Sequence, residues 1–170
     1  MKKVTIIVIL SIFASMLLAM EYSLESRIDR YSGKNAEGLK QLLQTTSPDT
    51  LRYIHYILDN ASSFDLAVLT PDFIMMNIRL SMKTKELPYT KNIPEDIFTH
   101  FVLLPRISQE PFVEWRPRFY QELYPVIKDC KTLEEAAFLV NLWSEEQMTF
   151  KPTNGRDQTP LTTIKRGYGR

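Results

Sequence analysis

No glycine occurs between Leu39 and Asn154; the chain's 5 glycines are Gly33, Gly38, Gly155, Gly167 and Gly169. Glycine turns the tightest hairpins, so most of the chain lacks the commonest means of building antiparallel sheet. Helices opened by proline or by a hydroxyl cap fit better. Ser47-Pro48 joins an N-cap to the favoured first-turn proline and predicts a helix to about Asp59. Thr70-Pro71 repeats the device for a helix to about Lys83. Asn35 to Gln44 sets Leu39, Leu42 and Leu43 on one side of another helix. Pro94 opens a further helix from Glu95 to Leu104, which Pro105 ends.

From Phe112 to Asp129 the apolar residues Phe112, Trp115, Phe119, Leu123 and Ile127 recur at helical spacing. Pro117 suits the first turn, whereas Pro125 should bend or interrupt the helix. Thr132-Leu-Glu-Glu135 is a capping-box pattern. After it come Leu133, Ala136, Ala137, Val140 and Trp143, with Phe138, Leu139 and Leu142 widening the stripe. A helix apolar nearly all round should be buried on most sides and needs cover on more than one. Met148-Thr-Phe150 reads as a short extended piece, followed by a polar loop and a short helix opened by Thr159-Pro160. The fold class is therefore mainly α, with no repeat, heptad array or low-complexity linker.

The amino terminus bears on compartment. Met1-Lys2-Lys3 is positive, Val4 to Ala19 carries no charge, and Glu21 is the first acid. This pattern describes a secretory signal over residues 1–20. Cleavage is weakly specified, because Leu17 stands two residues before Ala19. An uncleaved inner-membrane anchor is the alternative, since a spanning helix needs about 17–25 apolar residues. Leu17-Leu18-Ala19-Met20 looks like a bacterial lipoprotein signal whose acceptor cysteine has become Met20, which removes the thiol that lipidation needs. The expected location is periplasmic or extracellular.

From residue 21 onward the chain is long enough for one domain with its own core. Its net charge of +1 implies no general attraction to nucleic acid or acidic membranes. Residues 151–170 hold Lys151, Arg156, Lys165, Arg166 and Arg170 against Asp157 alone. Without an aromatic platform or recognition helix beside it, this cluster reads as a solvated loop, and no nucleic-acid partner is expected.

Candidate chemistry is sparse. Cys130 is the only cysteine, so no intramolecular disulfide forms, and its helical apolar setting suggests a small buried hydrophobe. His55, on a face with Leu51, Ile54 and Leu58, and His100, in Phe98-Thr-His-Phe101, read as satisfied structural histidines. Two histidines on separate helices make a poor metal site. Glu95-Asp96, Glu134-Glu135 and Glu145-Glu146 suit helix first turns or solvent faces rather than acid–base pairs. Met75-Met76 with Met82 reads as core filler. The chain has no phosphate-cradling glycine loop, no Cys-x-x-Cys and no His-Glu-x-x-His. No catalytic, cofactor-binding or metal-ligating residue is assigned, and no cofactor is implied.

Gly155-Arg-Asp-Gln-Thr-Pro-Leu-Thr-Thr-Ile-Lys-Arg-Gly-Tyr-Gly-Arg170, preceded by Asn141-Leu-Trp and Phe150-Lys-Pro-Thr, resembles the approach to the nucleophilic cysteine in bacterial secreted transglutaminase-like proteins. Leu69-Thr-Pro-Asp-Phe-Ile through Asn77-Ile-Arg-Leu, Lys91-Asn-Ile-Pro-Glu-Asp-Ile-Phe98, Trp115-Arg-Pro-Arg-Phe-Tyr120 and Lys128-Asp-Cys-Lys-Thr-Leu-Glu-Glu-Ala-Ala137 extend the likeness. It covers about residues 65–170. The resemblance implies a signal or anchor over 1–20, an unrecognised helical segment over 21–64, a helical region over 65–150, and the start of the transglutaminase-like core over 151–170. The chain would then be the helical amino-terminal portion of a transglutaminase-like α+β fold, without the catalytic helix and sheet.

Such a site uses a cysteine thiolate, a histidine base and an orienting aspartate to attack an amide carbonyl of a protein or peptide substrate. A thioester forms and is resolved by an amine or water. The family cysteine directly follows a turn like Gly167-Tyr-Gly169-Arg170, where Arg170 would add positive charge beside the thiolate. Since the cysteine, histidine and aspartate are all absent, the chain is expected to be inactive in that chemistry. Gln158 near the oxyanion is the weakest assignment and is not adopted. Uncovered by the core, the Leu133–Trp143 helix should leave an apolar patch exposed. Two alternatives are an exported helical protein-binding module and a membrane-anchored structural protein.

Overall fold

Hydroxyl side chains and prolines open helices at most of the places where the sequence puts them. The computed structural model describes residues 23–106, 110–151 and 159–169, and these are mainly helical. The chain forms two compact units, one reaching Pro71 and the other starting at Asp72.

In the first unit, α1 (Leu24–Tyr31), α2 (Ala36–Thr45), α3 (Pro48–Asp59) and α4 (Ser63–Val68) follow one another through short connections. Helix α1 packs on α2 and on α4. Ile28, Leu39, Ile54, Leu58 and Leu66 are fully buried. Two polar ties fix the packing. Arg27 on α1 donates to the carbonyls of Asp59 and Ala61, which lie at the end of α3. Lys40 on α2 reaches Asp29 on α1 at 2.9 Å. Helix α4, which the periodicity reading missed, starts with a reciprocal cap. Ser62 Oγ accepts from the Asp65 amide, and the Asp65 carboxylate accepts from the Ser62 amide at 2.8 Å.

The second unit contains most of α5 (Pro71–Lys83), then α6 (Glu95–Ile97), which continues as a π-helix over Phe98–Leu103. Two further helices, α7 (Trp115–Ile127) and α8 (Leu133–Gln147), pack together. Ile74, Ile78, Phe98 and Leu103 are buried. The wide winding at Phe98–Leu103 replaces the regular helix expected there. Pro117 sits in the first turn of α7 as expected, but Pro125 does not interrupt it; α7 runs on to Ile127. Proline denies α7 one hydrogen bond there, and the helix ends within two residues.

Helix α8 departs from the burial expected of its apolar stripe. Only Ala136 is buried, while Leu133, Phe138 and Leu142 are exposed. Apolar residues lie on nearly every face of α8, but α7 covers only one. Its cap also differs from the reciprocal box. Thr132 Oγ1 accepts from the Glu135 amide, but the Glu135 carboxylate accepts from Lys131 N rather than from Thr132 N. The methionines depart too: Met75 is exposed and Met76 and Met82 are half-buried, because Ile74 and Ile78 occupy the inward face of α5.

Two short strands close the second unit. β1 (Thr149–Phe150) pairs in parallel with β2 (Tyr168–Gly169), joined through α9 (Pro160–Arg166). Thr149 N donates to Gly167 O and Lys151 N to Gly169 O, both at 2.8 Å. Helix α9 ends on Gly167 in the left-handed conformation, φ 71°. Gly169 is needed for a different reason: a Cβ there would overlap Thr163 Cγ2. Gly167→Ala is therefore expected to cost about 1 kcal/mol through backbone strain. Gly169→Ala should cost about 1–3 kcal/mol through overpacking. Urea unfolding midpoints check both, and an unchanged midpoint for either variant would contradict this geometry.

Candidate functional site

The polar centre of the second unit gathers around carbonyls at the end of the π-helix. On α5, Asn77 and Ser81 are one turn apart and both buried. Asn77 Nδ2 donates to Leu103 O at 2.7 Å, and Ser81 Oγ donates to Val102 O at 3.3 Å. Arg116, from the first turn of α7, completes the cluster. Its Nη2 donates to Val102 O and to Leu104 O, and its Nε donates to Asn77 Oδ1 at 2.6 Å. Trp115 Nε1 bonds Pro105 O at 2.9 Å, which seats the start of α7.

This arrangement answers two needs together. A helix C-terminus leaves carbonyls without donors and carries partial negative charge. A planar guanidinium supplies several donors and a compensating positive charge. Burial lowers the Arg116 pKa to about 10, so the group remains cationic at neutral pH. No carboxylate pairs with it among the described residues. Arg118 behaves in the ordinary way, pairing with Glu122 one turn on at 2.7 Å.

Beside Arg116 lies a cavity of about 160 Å³ between α5 and α7. The apolar stripe read from α7 supplies one wall, through Trp115, Phe119, Leu123 and Ile127, and Leu80 and Leu87 face it. These α7 positions are half-buried, which is why α7 has no fully buried residue. Phe119 is held edge-on by Trp115 at 5.4 Å and by Trp143 at 5.6 Å. Tyr120 and Tyr124 stack at 4.9 Å along the same helix.

The residues singled out from sequence are not brought to one site. Cys130 is buried and unpaired, and burial, then the charges of Glu135 and Asp129, push its thiol pKa up. A catalytic thiol needs the opposite shift. In the folded protein, labelling of Cys130 by a thiol reagent is expected to be on the order of 100-fold slower than in the unfolded chain, since it requires local opening. Immediate stoichiometric labelling of the native chain would contradict this.

His55 is exposed, against the expectation of a structural histidine; Tyr53, Ile54, Ile57 and Leu58 take the buried face of α3. His100 is also exposed, with Nδ1 against the Asp96 carbonyl at 2.7 Å. Among the described residues no group of His, Cys, Asp or Glu could hold a metal ion. Glu134 lies in the first turn of α8, where backbone N–H groups and Thr132 hold its carboxyl below the usual range. Lys165 and Arg166 are exposed, and Lys151 lies over the Tyr168 ring at 5.0 Å. Arg156, Gln158 and Arg170 lie outside the described residues, as does the 1–20 segment. No helix among the described residues is long and apolar enough to cross a membrane.

Arg116, Asn77 and Ser81 were missed by sequence reasoning. The signal was present on α5, where Asn77 and Ser81 interrupt the apolar face of Ile74 and Ile78 at one-turn spacing. Two polar side chains on a buried face require a partner of matching reach. No protein-family model, curated protein or solved structure matches the chain.

Proposed function

We propose that the second unit is the helical entry to an exported transglutaminase-like thiol site, with the nucleophilic cysteine belonging to sequence that follows Arg170. The observation that carries this reading is the turn at Gly167. Helix α9 ends there in the left-handed conformation, and the chain then runs along Tyr168–Gly169, anchored in parallel to Thr149–Phe150. A chain held on both sides of a glycine turn delivers its next residues in a fixed direction, which a positioned nucleophile requires. In the resembled enzymes the next step is a helix whose N-terminus lowers the thiol pKa and offers backbone donors to the oxyanion. Cys130, buried and with a raised pKa, does not substitute for that thiol.

An amine-incorporation assay with a glutamine peptide tests the chemistry. The chain through Arg170 should be inactive. A product extended to include the expected cysteine, histidine and aspartate should incorporate amine and be inhibited by thiol alkylation. Activity in the present chain that Cys130→Ser abolishes would overturn the reading.

The exposed Leu133, Phe138 and Leu142 of α8 favour a second reading, an exported helical module that docks a protein partner. The two separate on extension: in the first, added sequence covers α8 and abolishes hydrophobic-dye binding. In the second, dye binding persists until a partner is added.

A further inference from the structure

We propose that the cavity between α5 and α7 binds a small aromatic monocarboxylate, its ring among Leu80, Phe119 and Leu123 and its carboxylate on Nη1 of Arg116. This goes beyond the thiol-site reading and stands independently of it. Size sets the first limit. The cavity measures about 160 Å³. An apolar cavity of about 150 Å³ accommodates benzene, so one six-membered ring fits and a fused polycycle does not.

Charge sets the second limit. Two cations and no acid line the cavity. The ammonium of Lys83 is met by both oxygens of Glu86 at 3.0 Å, which leaves Arg116, stacked over the Trp115 ring at 4.4 Å, as the cation of the cavity without a carboxylate partner among the described residues. The guanidinium spends Nε on Asn77 and both protons of Nη2 on Val102 O and Leu104 O. Nη1 has no acceptor among the described residues, and Arg116 is half-buried rather than buried. A half-desolvated cation with open donors beside an apolar wall favours an anion that carries its own apolar body. The bonds to Val102, Leu104 and Asn77 hold the guanidinium before a ligand arrives, so little ordering is needed on binding.

Titration calorimetry of the purified chain with phenylacetate, 2-phenylethanol and acetate tests each part. Phenylacetate should bind saturably, roughly 10-fold tighter than the neutral 2-phenylethanol, because its charge-assisted hydrogen bond forms next to an apolar wall. Acetate, lacking the ring, should give no measurable heat. Leu123→Trp, which fills the cavity and leaves Arg116 in place, should abolish phenylacetate binding. On the unmodified chain, the Trp115 indole N–H resonance should shift with phenylacetate and not with acetate, which keeps the test open if the Trp variant does not fold. Absence of phenylacetate binding, equal affinity for 2-phenylethanol, or binding by a folded Leu123→Trp variant would each overturn the proposal.

Discussion

Arg116→Met is expected to destabilise the second unit by about 3 kcal/mol. The substitution removes the donors to Val102 O and Leu104 O and leaves Asn77 Oδ1 facing an apolar side chain. Each abandoned acceptor costs about 1–3 kcal/mol, and relief from burying the guanidinium offsets part of the sum. Loss of acceptor satisfaction should win, because Leu104 O and Asn77 Oδ1 lose their donor together and Val102 O keeps only Ser81 Oγ, at 3.3 Å. Lysine keeps the charge but is a single-point donor, so Arg116→Lys should fall between wild type and Met. Urea unfolding provides the comparison. A Met variant with the wild-type midpoint would show that this cluster is not holding the π-helix.

The other large effect is expected within the π-helix itself, where two phenylalanines have opposite environments. Phe98 is fully buried, whereas Phe101 is 79% exposed. Phe98→Ala should cost about 3–5 kcal/mol, the sum of lost transfer free energy and the cavity left behind. Phe101→Ala should change stability by less than about 0.5 kcal/mol. Phe98 also carries Lys85 Nζ 3.8 Å above its ring, and Lys85 pairs with Glu95 at 2.7 Å. Removing the ring therefore loosens the tie between the turn before α6 and α6 itself. Phe98→Leu should recover most of the loss. Similar midpoints for Phe98→Ala and Phe101→Ala would contradict the assignment of inward and outward faces.

Most helix starts were legible because proline and hydroxyl caps act locally. Pro48, Pro71, Thr132 and Pro160 each begin a helix irrespective of what packs on it. Faces were harder to read, because burial depends on neighbours that spacing does not identify. The periodicity of α8 indicates an apolar surface but not whether anything covers it; Phe138 and Leu142 remain exposed. His55 shares a sequence stripe with Leu51 and Leu58, yet it turns to solvent because the inward face of α3 centres on Tyr53 and Ile57. The Arg116 cluster joins residues from α5, α7 and the π-helix, so no local window contains it. Only the polar pair Asn77 and Ser81 on an apolar face marks it in advance.

The parallel pairing of β1 with β2 was equally hidden, since each strand has only two residues and the partners lie on opposite sides of α9. What sequence did indicate is the extended character of Met148-Thr-Phe150 and the helix start at Thr159-Pro160. In the sequence, Gly167-Tyr-Gly169 looks like a single glycine turn. They serve different needs, positive φ at one and room for Thr163 at the other.

Determining the coding sequence beyond the Arg170 codon tests the thiol-site proposal most directly. The expected result is an open reading frame whose next codon specifies cysteine, with a histidine and an aspartate encoded further on. A frame that continues with another residue, or stops there, would contradict the proposal.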